Sequence, residues 1–131
     1  MTFSTPVAHR VVAAPQVLDG ASWPEWSDVL RLAPDEVLVV HEVGADVVTP
    51  SVDDPFAIVE PEAGFMEVWW EPEGFTARVA PHIDWAIPTD RPALAQGLVA
   101  GVPCKLVFEL DGGVRLLCLT GYVHELEARL G

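Results

Sequence analysis

The sequence predicts a single α+β domain spanning residues 1–131, with a mainly antiparallel sheet built from hairpins and about three helices. Its length of 131 residues is close to the commonest size of one domain. Twelve prolines and ten glycines divide the chain into short elements, which favours many strands over long helices. Two turn-like sequences, EPEG and DGG, each separate short apolar runs and predict hairpins. The expected order is β-α-β-β-β-β-α-β-β-α.

The chain is expected to begin with a strand and a helix. Residues 7–13 (VAHRVVA) can form the strand. Ser22 is a good N-cap for the helix, Glu25 completes a capping box, and Pro24 is tolerated in the first turn. An apolar stripe at helical spacing follows, formed by Trp23, Trp26, Leu30 and Ala33.

The middle of the chain has the sequence pattern of β-strands. Residues 36–43 form a near-continuous apolar run, as in a central strand, and residues 56–60 resemble a second, shorter one. Residues 65–71 and 75–80 then flank the EPEG turn and predict a hairpin. Because side chains alternate along a strand, Trp70 is expected in the core and Trp69 on a wetter face.

The last third is expected to contain a helix, a hairpin and a closing helix. Residues 91–100 predict a buried helix, in which Gly97 implies the close approach of another backbone. Residues 104–110 and 114–120 predict a hairpin around a three-residue loop, which sets Cys104 diagonal to Cys118. Residues 122–130 predict the closing helix.

The charge is strongly uneven along the chain. Seven basic residues face twenty acidic ones, so the net charge is −13. Residues 32–77 contain no lysine or arginine, and they hold eleven carboxylates, which are Asp35, Glu36, Glu42, Asp46, Asp53, Asp54, Glu60, Glu62, Glu67, Glu71 and Glu73. Such a segment is repelled by phosphate backbones and anionic membranes, so we expect neither direct nucleic-acid binding nor membrane binding. It fits either solubility alone or recognition of a basic protein surface, in which Asp53, Asp54, Glu60 and Glu62 would take part.

The composition indicates a cytoplasmic protein with room for a subunit interface. There is no secretory signal at the N-terminus and no apolar run long enough to span a membrane. Two cysteines without close spacing indicate reduced thiols, as expected in the cytoplasm. Half of the residues are apolar, a surplus that predicts either a well-packed core or a homodimer interface.

Common cofactor and catalytic motifs are absent from the sequence. There is no dinucleotide fingerprint, phosphate-binding loop, zinc-protease motif, nucleophile elbow or EF-hand loop, so no cofactor is expected. No pair of histidines has the short spacing of a zinc site, so no metal is expected. The candidates for catalysis are His82 and Asp84, which would point the same way in an extended segment. The alternative interpretation is that His82 and Asp84 lie in a surface loop and have no catalytic role.

Five tryptophans are many for this length. Trp23, Trp26 and Trp70 are expected in the core. Trp69 and Trp85 are the candidates for binding, because an exposed indole is a preferred interface anchor and a stacking platform.

Two functional hypotheses follow. The first is a non-catalytic accessory or interaction domain with an acidic recognition surface, such as an inhibitor, an immunity protein or a small subunit of an assembly. The second is a ligand-binding or enzymatic domain whose pocket gathers His82, Asp84, Trp85 and Trp69. Convergence of these four side chains would favour the second hypothesis, and their dispersal would favour the first.

Overall fold

The structure is a computed structural model that describes residues 1–23, 28–40, 48 and 51–131. The chain divides into two compact units. The C-terminal unit consists of Met1–Thr5 and Gly64–Gly131, and the inserted unit consists of Pro6–Ala63. The inserted unit therefore interrupts the sequence of the C-terminal unit.

The inserted unit is built on a four-stranded antiparallel sheet in the order β2-β3-β1-β4. Its elements are β1 (Ala8–Val12), α1 (Pro15–Asp19), β2 (Asp28–Ala33), β3 (Glu36–Val40) and β4 (Ile58–Pro61). Helix α1 begins at a proline, whose fixed φ suits the first helical position. The described residues of this unit form an apolar cluster with the buried members Val11, Ala13, Leu18, Val37, Val39, Val48 and Val52.

The prediction of a helix after Ser22 is wrong for the part of this segment that the structure describes. Residues Asp28–Ala33 form β2, which pairs with β3 and sets Val29 opposite Val39. Pairing with an apolar neighbouring strand outweighs the helical spacing of the stripe, as tertiary context commonly does. Trp23 packs against the apolar cluster as expected, whereas Trp26 and the predicted capping box at Glu25 lie outside the described residues.

The other strands of this unit are confirmed with small shifts. The strand predicted at 7–13 is β1, and the strand predicted at 56–60 is β4. The run at 36–43 forms β3 over Glu36–Val40, and its last three residues lie outside the described part of the chain.

The C-terminal unit contains a second four-stranded antiparallel sheet, in the order β5-β8-β7-β6, and two helices. Its elements are β5 (Phe65–Trp70), α2 (Pro72–Arg78), β6 (Ala93–Val99), β7 (Val102–Phe108), β8 (Val114–Leu119) and α3 (Val123–Leu130). The helices contribute to the apolar cluster on one face of the sheet, whose buried members are Val68, Trp70, Phe75, Val79, Val99, Val102, Cys104, Leu106, Phe108, Val114, Leu116, Cys118, Leu126 and Leu130. The α+β class and the antiparallel pairing are confirmed, with two sheets in the described residues.

The hairpin predicted around the EPEG sequence is wrong. Glu71 is extended, Pro72 takes the first helical position, and the rest of the segment forms α2. Phe75 and Val79, four residues apart, share one helical face and are buried in the core. Strand β5 pairs with β8 instead, so the alternation that buries Trp70 is retained.

The helix predicted at residues 91–100 is also wrong, because this segment forms β6. A two-residue turn at Ala100 and Gly101, with φ of 50° and 78°, returns the chain into β7. Positive φ at both central positions is the signature of the turn that matches strand twist. Gly97 does have a close neighbour, but it is the indole side chain of Trp85 and not the backbone that was predicted.

The last hairpin and the closing helix are confirmed, with a shift in register. Phe108 lies opposite Val114, so the loop is longer by two residues than expected. Cys104 therefore lies directly opposite Cys118, and the predicted diagonal placement is wrong. Within the described residues, no helix is long and apolar enough to cross a membrane.

Candidate functional site

The most exposed large apolar side chain that the structure describes belongs to Phe56, which is 89% exposed. A local turn fixes its backbone, because Asp54 accepts a hydrogen bond from the Phe56 amide through Oδ1 at 2.9 Å. The amide of Ala57 donates to the carbonyl of Asp54 at 3.2 Å. Val52 and Ala57, on either side of the turn, belong to or pack against the apolar cluster. The turn therefore fixes the backbone of a residue whose aromatic ring faces water.

Two carboxylates closely precede Phe56 in the sequence, within a strongly acidic unit. Asp53 is exposed and Asp54 is half-buried, and both immediately precede Pro55 and Phe56. Of the net charge of −13, −9 falls on the inserted unit, which has eleven carboxylates and two arginines. We call residues 53–57 the Phe56 loop.

Glu60 and Glu62, predicted to act with Asp53 and Asp54, have a basic neighbour. Glu60 lies directly opposite Arg10 across β4 and β1. Arg10 also contacts Glu36, with 3.4 Å between Nη2 and Oε2. The hydrogen bond and charge of Glu36, followed by the charges of Glu60 and Glu62, raise the pKa of Arg10 above its ordinary value. The pairing of β1 with β4 thus places Arg10, which lies outside the acidic segment 32–77 in sequence, next to Glu60 of that segment.

Trp69 is exposed, as the sequence predicted, at 55% of its surface. It lies directly opposite Arg115 on β8, and the guanidinium carbon is 4.7 Å from the centre of a Trp69 ring. Arg115 itself is 1% exposed. Its Nη2 donates to Glu109 at 2.8 Å, and its Nε is 3.8 Å from a carboxylate oxygen of Glu67. A buried, paired guanidinium therefore supports the indole.

A cleft of about 480 Å³ opens beside Trp69, which we call the Trp69 cleft. Two carboxylates, those of Glu71 and Asp111, stand in its lining, and both residues are exposed. All its lining residues belong to the C-terminal unit, and they are Trp69, Trp70, Glu71, Pro72, Asp111 and Gly113.

His82 and Asp84, the predicted catalytic pair, are both exposed. In the part of the chain that the structure describes, no hydrogen bond or ion pair joins them. The backbone of His82 has a structural role, since its amide donates to Val79 at 2.9 Å and its carbonyl accepts from Ala100 at 3.0 Å.

Trp85 lies apart from Trp69. It packs against the core on the face of the sheet that carries Cys104 and Gly97, and its indole nitrogen donates to the Leu98 carbonyl at 2.8 Å. Trp69 lies on the opposite face and belongs to β5, whereas Trp85 packs against β6, and these two strands form opposite edges of the sheet. The structure therefore does not gather the four side chains of the predicted pocket.

Metal-binding side chains do not cluster in the described residues. No group of three or more histidine, cysteine, aspartate or glutamate side chains within them could hold a metal ion. Cys104 and Cys118 are free thiols, buried in the apolar cluster of the C-terminal unit.

Two features of this surface differ from what the sequence predicts. Phe56 was assigned to a strand, although the preceding Asp53-Asp54-Pro55 is a turn signal that could have placed it in a loop. Arg10 was not connected to the acidic segment, because only the pairing of β1 with β4 brings it there.

The comparisons with known proteins identify a similar fold. No protein-family model matches the chain, and no curated protein sequence matches it. The fold is similar to that of a chain in the heterotetrameric sarcosine oxidase from Corynebacterium sp. U-96, solved in complex with pyrrole 2-carboxylate. The TM-score is 0.76 and the identity is 15%, and the match covers 98% of this chain and 80% of that chain. At this level of identity the likeness concerns the fold alone.

Proposed function

We propose that this protein is a non-catalytic subunit of a protein assembly, which recognises a basic surface of its partner through the Phe56 loop. The observation that carries the proposal is the 89% exposure of Phe56 beside Asp53 and Asp54. A large apolar side chain that a turn holds in water gains free energy when a partner buries it, and such aromatic anchors dominate many interfaces.

The surrounding charge gives the partner its expected chemistry. The net charge of −9 on the inserted unit attracts a positively charged surface and speeds the encounter with it. We therefore expect a partner that offers an apolar pocket for Phe56 with a rim of lysine or arginine side chains.

A different chain fits this surface better than a second copy. The homodimer suggested by the apolar composition would bring together two molecules of net charge −13, which repel each other. The structurally similar chain comes from a heterotetrameric enzyme, which supports an assembly of different subunits. We place the assembly in the cytoplasm, where the two free thiols would stay reduced.

The alternative of a ligand-binding or enzymatic pocket has less support. It requires His82, Asp84, Trp85 and Trp69 to converge, and the two indoles lie on opposite faces of their sheet. The dispersal favours the interaction domain.

Binding measurements with matched variants test the proposal. A partner captured from a native extract is purified, and its affinity is measured for wild type, Phe56→Ser and Leu98→Ser. Leu98 is also an exposed apolar residue, at 51%, but lies on β6 of the other unit. We expect Phe56→Ser to weaken binding at least about tenfold and Leu98→Ser to leave it unchanged. Equal affinity of wild type and Phe56→Ser would overturn the proposal.

The role of charge is measured separately through the association rate. In the variant Asp53→Asn/Asp54→Asn the amide oxygen at position 54 can still accept from the Phe56 amide, so the turn is preserved. We expect slower association at low salt and a smaller difference at high salt. A rate that does not change at either salt concentration would assign the acidic segment to solubility.

A further inference from the structure

The Trp69 cleft has one aromatic wall whose position is fixed. Trp69 and Arg115 are a non-hydrogen-bonded pair of the antiparallel strands β5 and β8. Further along the same strands, the Thr120 amide donates to the Gly64 carbonyl directly opposite, and hydrogen-bonded and non-hydrogen-bonded pairs alternate from that point. In a non-hydrogen-bonded pair the side chains lie close together. The guanidinium of Arg115 covers part of the indole at 4.7 Å, while 55% of Trp69 faces solvent.

The charge of Arg115 does not oppose a second cation at this wall. Glu109 and Glu67 both pair with its guanidinium, at 2.8 Å and 3.8 Å. One buried positive charge is thus balanced by two negative ones. The indole can therefore attract a cation from the solvent side through its negative ring face.

Two carboxylates belong to the lining of the same cleft. The loop between β7 and β8 packs against the start of α2, where a β-carbon at Gly112 would lie 3.2 Å from Cγ of Pro72. This contact sets Asp111 beside Glu71 in one lining. Asp111 is oriented by the Gly113 amide, which donates to its Oδ1 at 2.8 Å, and its second oxygen can still accept a hydrogen bond.

We propose that the Trp69 cleft binds an arginine side chain of a protein partner. An aromatic wall and two carboxylates, with no basic side chain among the lining residues, match a cation. A guanidinium is favoured over an ammonium because its plane stacks on an indole while its edge donates to carboxylates. Free arginine fits less well than arginine in a peptide, because its own carboxylate would meet Glu71 and Asp111.

This inference goes beyond the proposed function, because it concerns the C-terminal unit and a defined ligand group. It does not require the Phe56 loop, which belongs to the inserted unit. The proposed function and the inference about the Trp69 cleft can therefore be disproved independently of each other.

The test uses nuclear magnetic resonance of the tryptophan indole groups in the full chain. The probe is the capped peptide acetyl-Gly-Arg-Gly-amide, compared with the same peptide containing citrulline, which has the same shape without the charge. The signal of Trp69 is assigned as the one that disappears in Trp69→Leu. We expect it to shift in a saturable manner with the arginine peptide, and citrulline to bind at least about tenfold more weakly.

Variants matched in charge separate the cleft from the general acidity of the protein. Glu71→Gln/Asp111→Asn and Asp53→Asn/Asp54→Asn each remove two negative charges, in the cleft and in the Phe56 loop respectively. We expect the first to weaken peptide binding at least about tenfold and the second to change it little. The single variant Glu71→Gln, at an exposed position, serves if the double variant does not fold.

Three results would overturn the inference. They are a Trp69 signal that does not saturate, citrulline binding equal to that of arginine, and equal weakening by both charge variants. Phe56→Ser should leave peptide binding unchanged. If it also leaves the partner's affinity unchanged, the proposed function fails while the cleft stands.

Discussion

Trp85 occupies the space that a side chain at position 97 would need. A β-carbon on Gly97 would lie 2.7 Å from the indole, closer than such contacts occur. The indole cannot easily move, because its nitrogen donates to the Leu98 carbonyl at 2.8 Å. Strand β6 and the segment that carries Trp85 are thus locked together at a glycine.

Gly97→Ala should therefore destabilise the protein. Overpacking a fixed contact costs about 1–3 kcal/mol, and we expect a value in that range from denaturant unfolding. Gly121→Ala is the control, since no atom lies within 4 Å of a β-carbon there. If the two substitutions have the same effect, Trp85 does not restrict position 97.

The errors in predicting β6 and β2 have a common physical cause. Both segments carry apolar residues that suit a helix, and each is drawn into a sheet by an apolar strand beside it. The prediction for Pro72–Arg78 fails in the opposite direction, since a turn and a strand were expected and a helix forms. A proline that suits a turn also suits the first position of a helix. Strands β3 and β8 were predictable because their apolar runs fit a buried sheet and little else.

The features of the candidate site that could be predicted are those that depend only on the alternation of side chains along one strand. The exposure of Trp69 followed from its neighbour Trp70 being buried, and this holds whichever strand pairs with β5. The ion pair of Arg115 with Glu67 could not be predicted, because it depends on β5 pairing with β8.

Arg10→Gln should lower the melting temperature most strongly at low salt. The substitution removes the base that lies among Glu36, Glu60 and Glu62, whose carboxylates then repel each other. Screening shortens the reach of this repulsion from about 30 Å at 0.01 M salt to about 3 Å at 1 M salt. Thermal unfolding at these two salt concentrations measures the effect.

A second substitution checks this explanation. Glu60 lies directly opposite Arg10, so Glu60→Gln should restore part of the lost stability in the Arg10→Gln protein. The same loss at both salt concentrations, without restoration by Glu60→Gln, would show that Arg10 acts through packing instead.

Alkaline pH should destabilise the protein through its two thiols. Burial raises the pKa of Cys104 to about 12 and that of Cys118 to about 11, from an ordinary value of 9.0. Above pH 9 the unfolded chain loses these protons while the folded chain keeps them, so folding stability falls as pH rises towards 11. Below pH 9 both states keep the protons and the thiols add no pH dependence. The slope approaches at most about 1.4 kcal/mol per pH unit for each thiol.

Cys118→Ala separates this effect from other groups that titrate at high pH. The variant is less stable at every pH because it loses a buried side chain, but its stability should fall less steeply between pH 9 and 11. Denaturant unfolding at several pH values measures both slopes. Parallel curves for the two proteins would mean that Cys118 already ionises in the fold as it does in the unfolded chain.

The single domain that the sequence predicts should unfold in one cooperative transition. Ser4 bridges to Glu67 by two backbone hydrogen bonds, of 2.9 Å and 2.8 Å, and so closes the chain around Pro6–Ala63. If the inserted unit unfolded alone, this bridge would have to close a disordered loop of about 60 residues, at an entropic cost of about 3–4 kcal/mol. Two hydrogen bonds contribute about 1–3 kcal/mol, so the bridge would open and the outer edge of β5 would lose its pairing with Ser4. Calorimetry should therefore give equal calorimetric and van't Hoff enthalpies, and hydrogen exchange should give similar opening free energies at Val39 and Leu116, one in each core. Two separate transitions, with Val39 exchanging well before Leu116, would establish two domains instead of one.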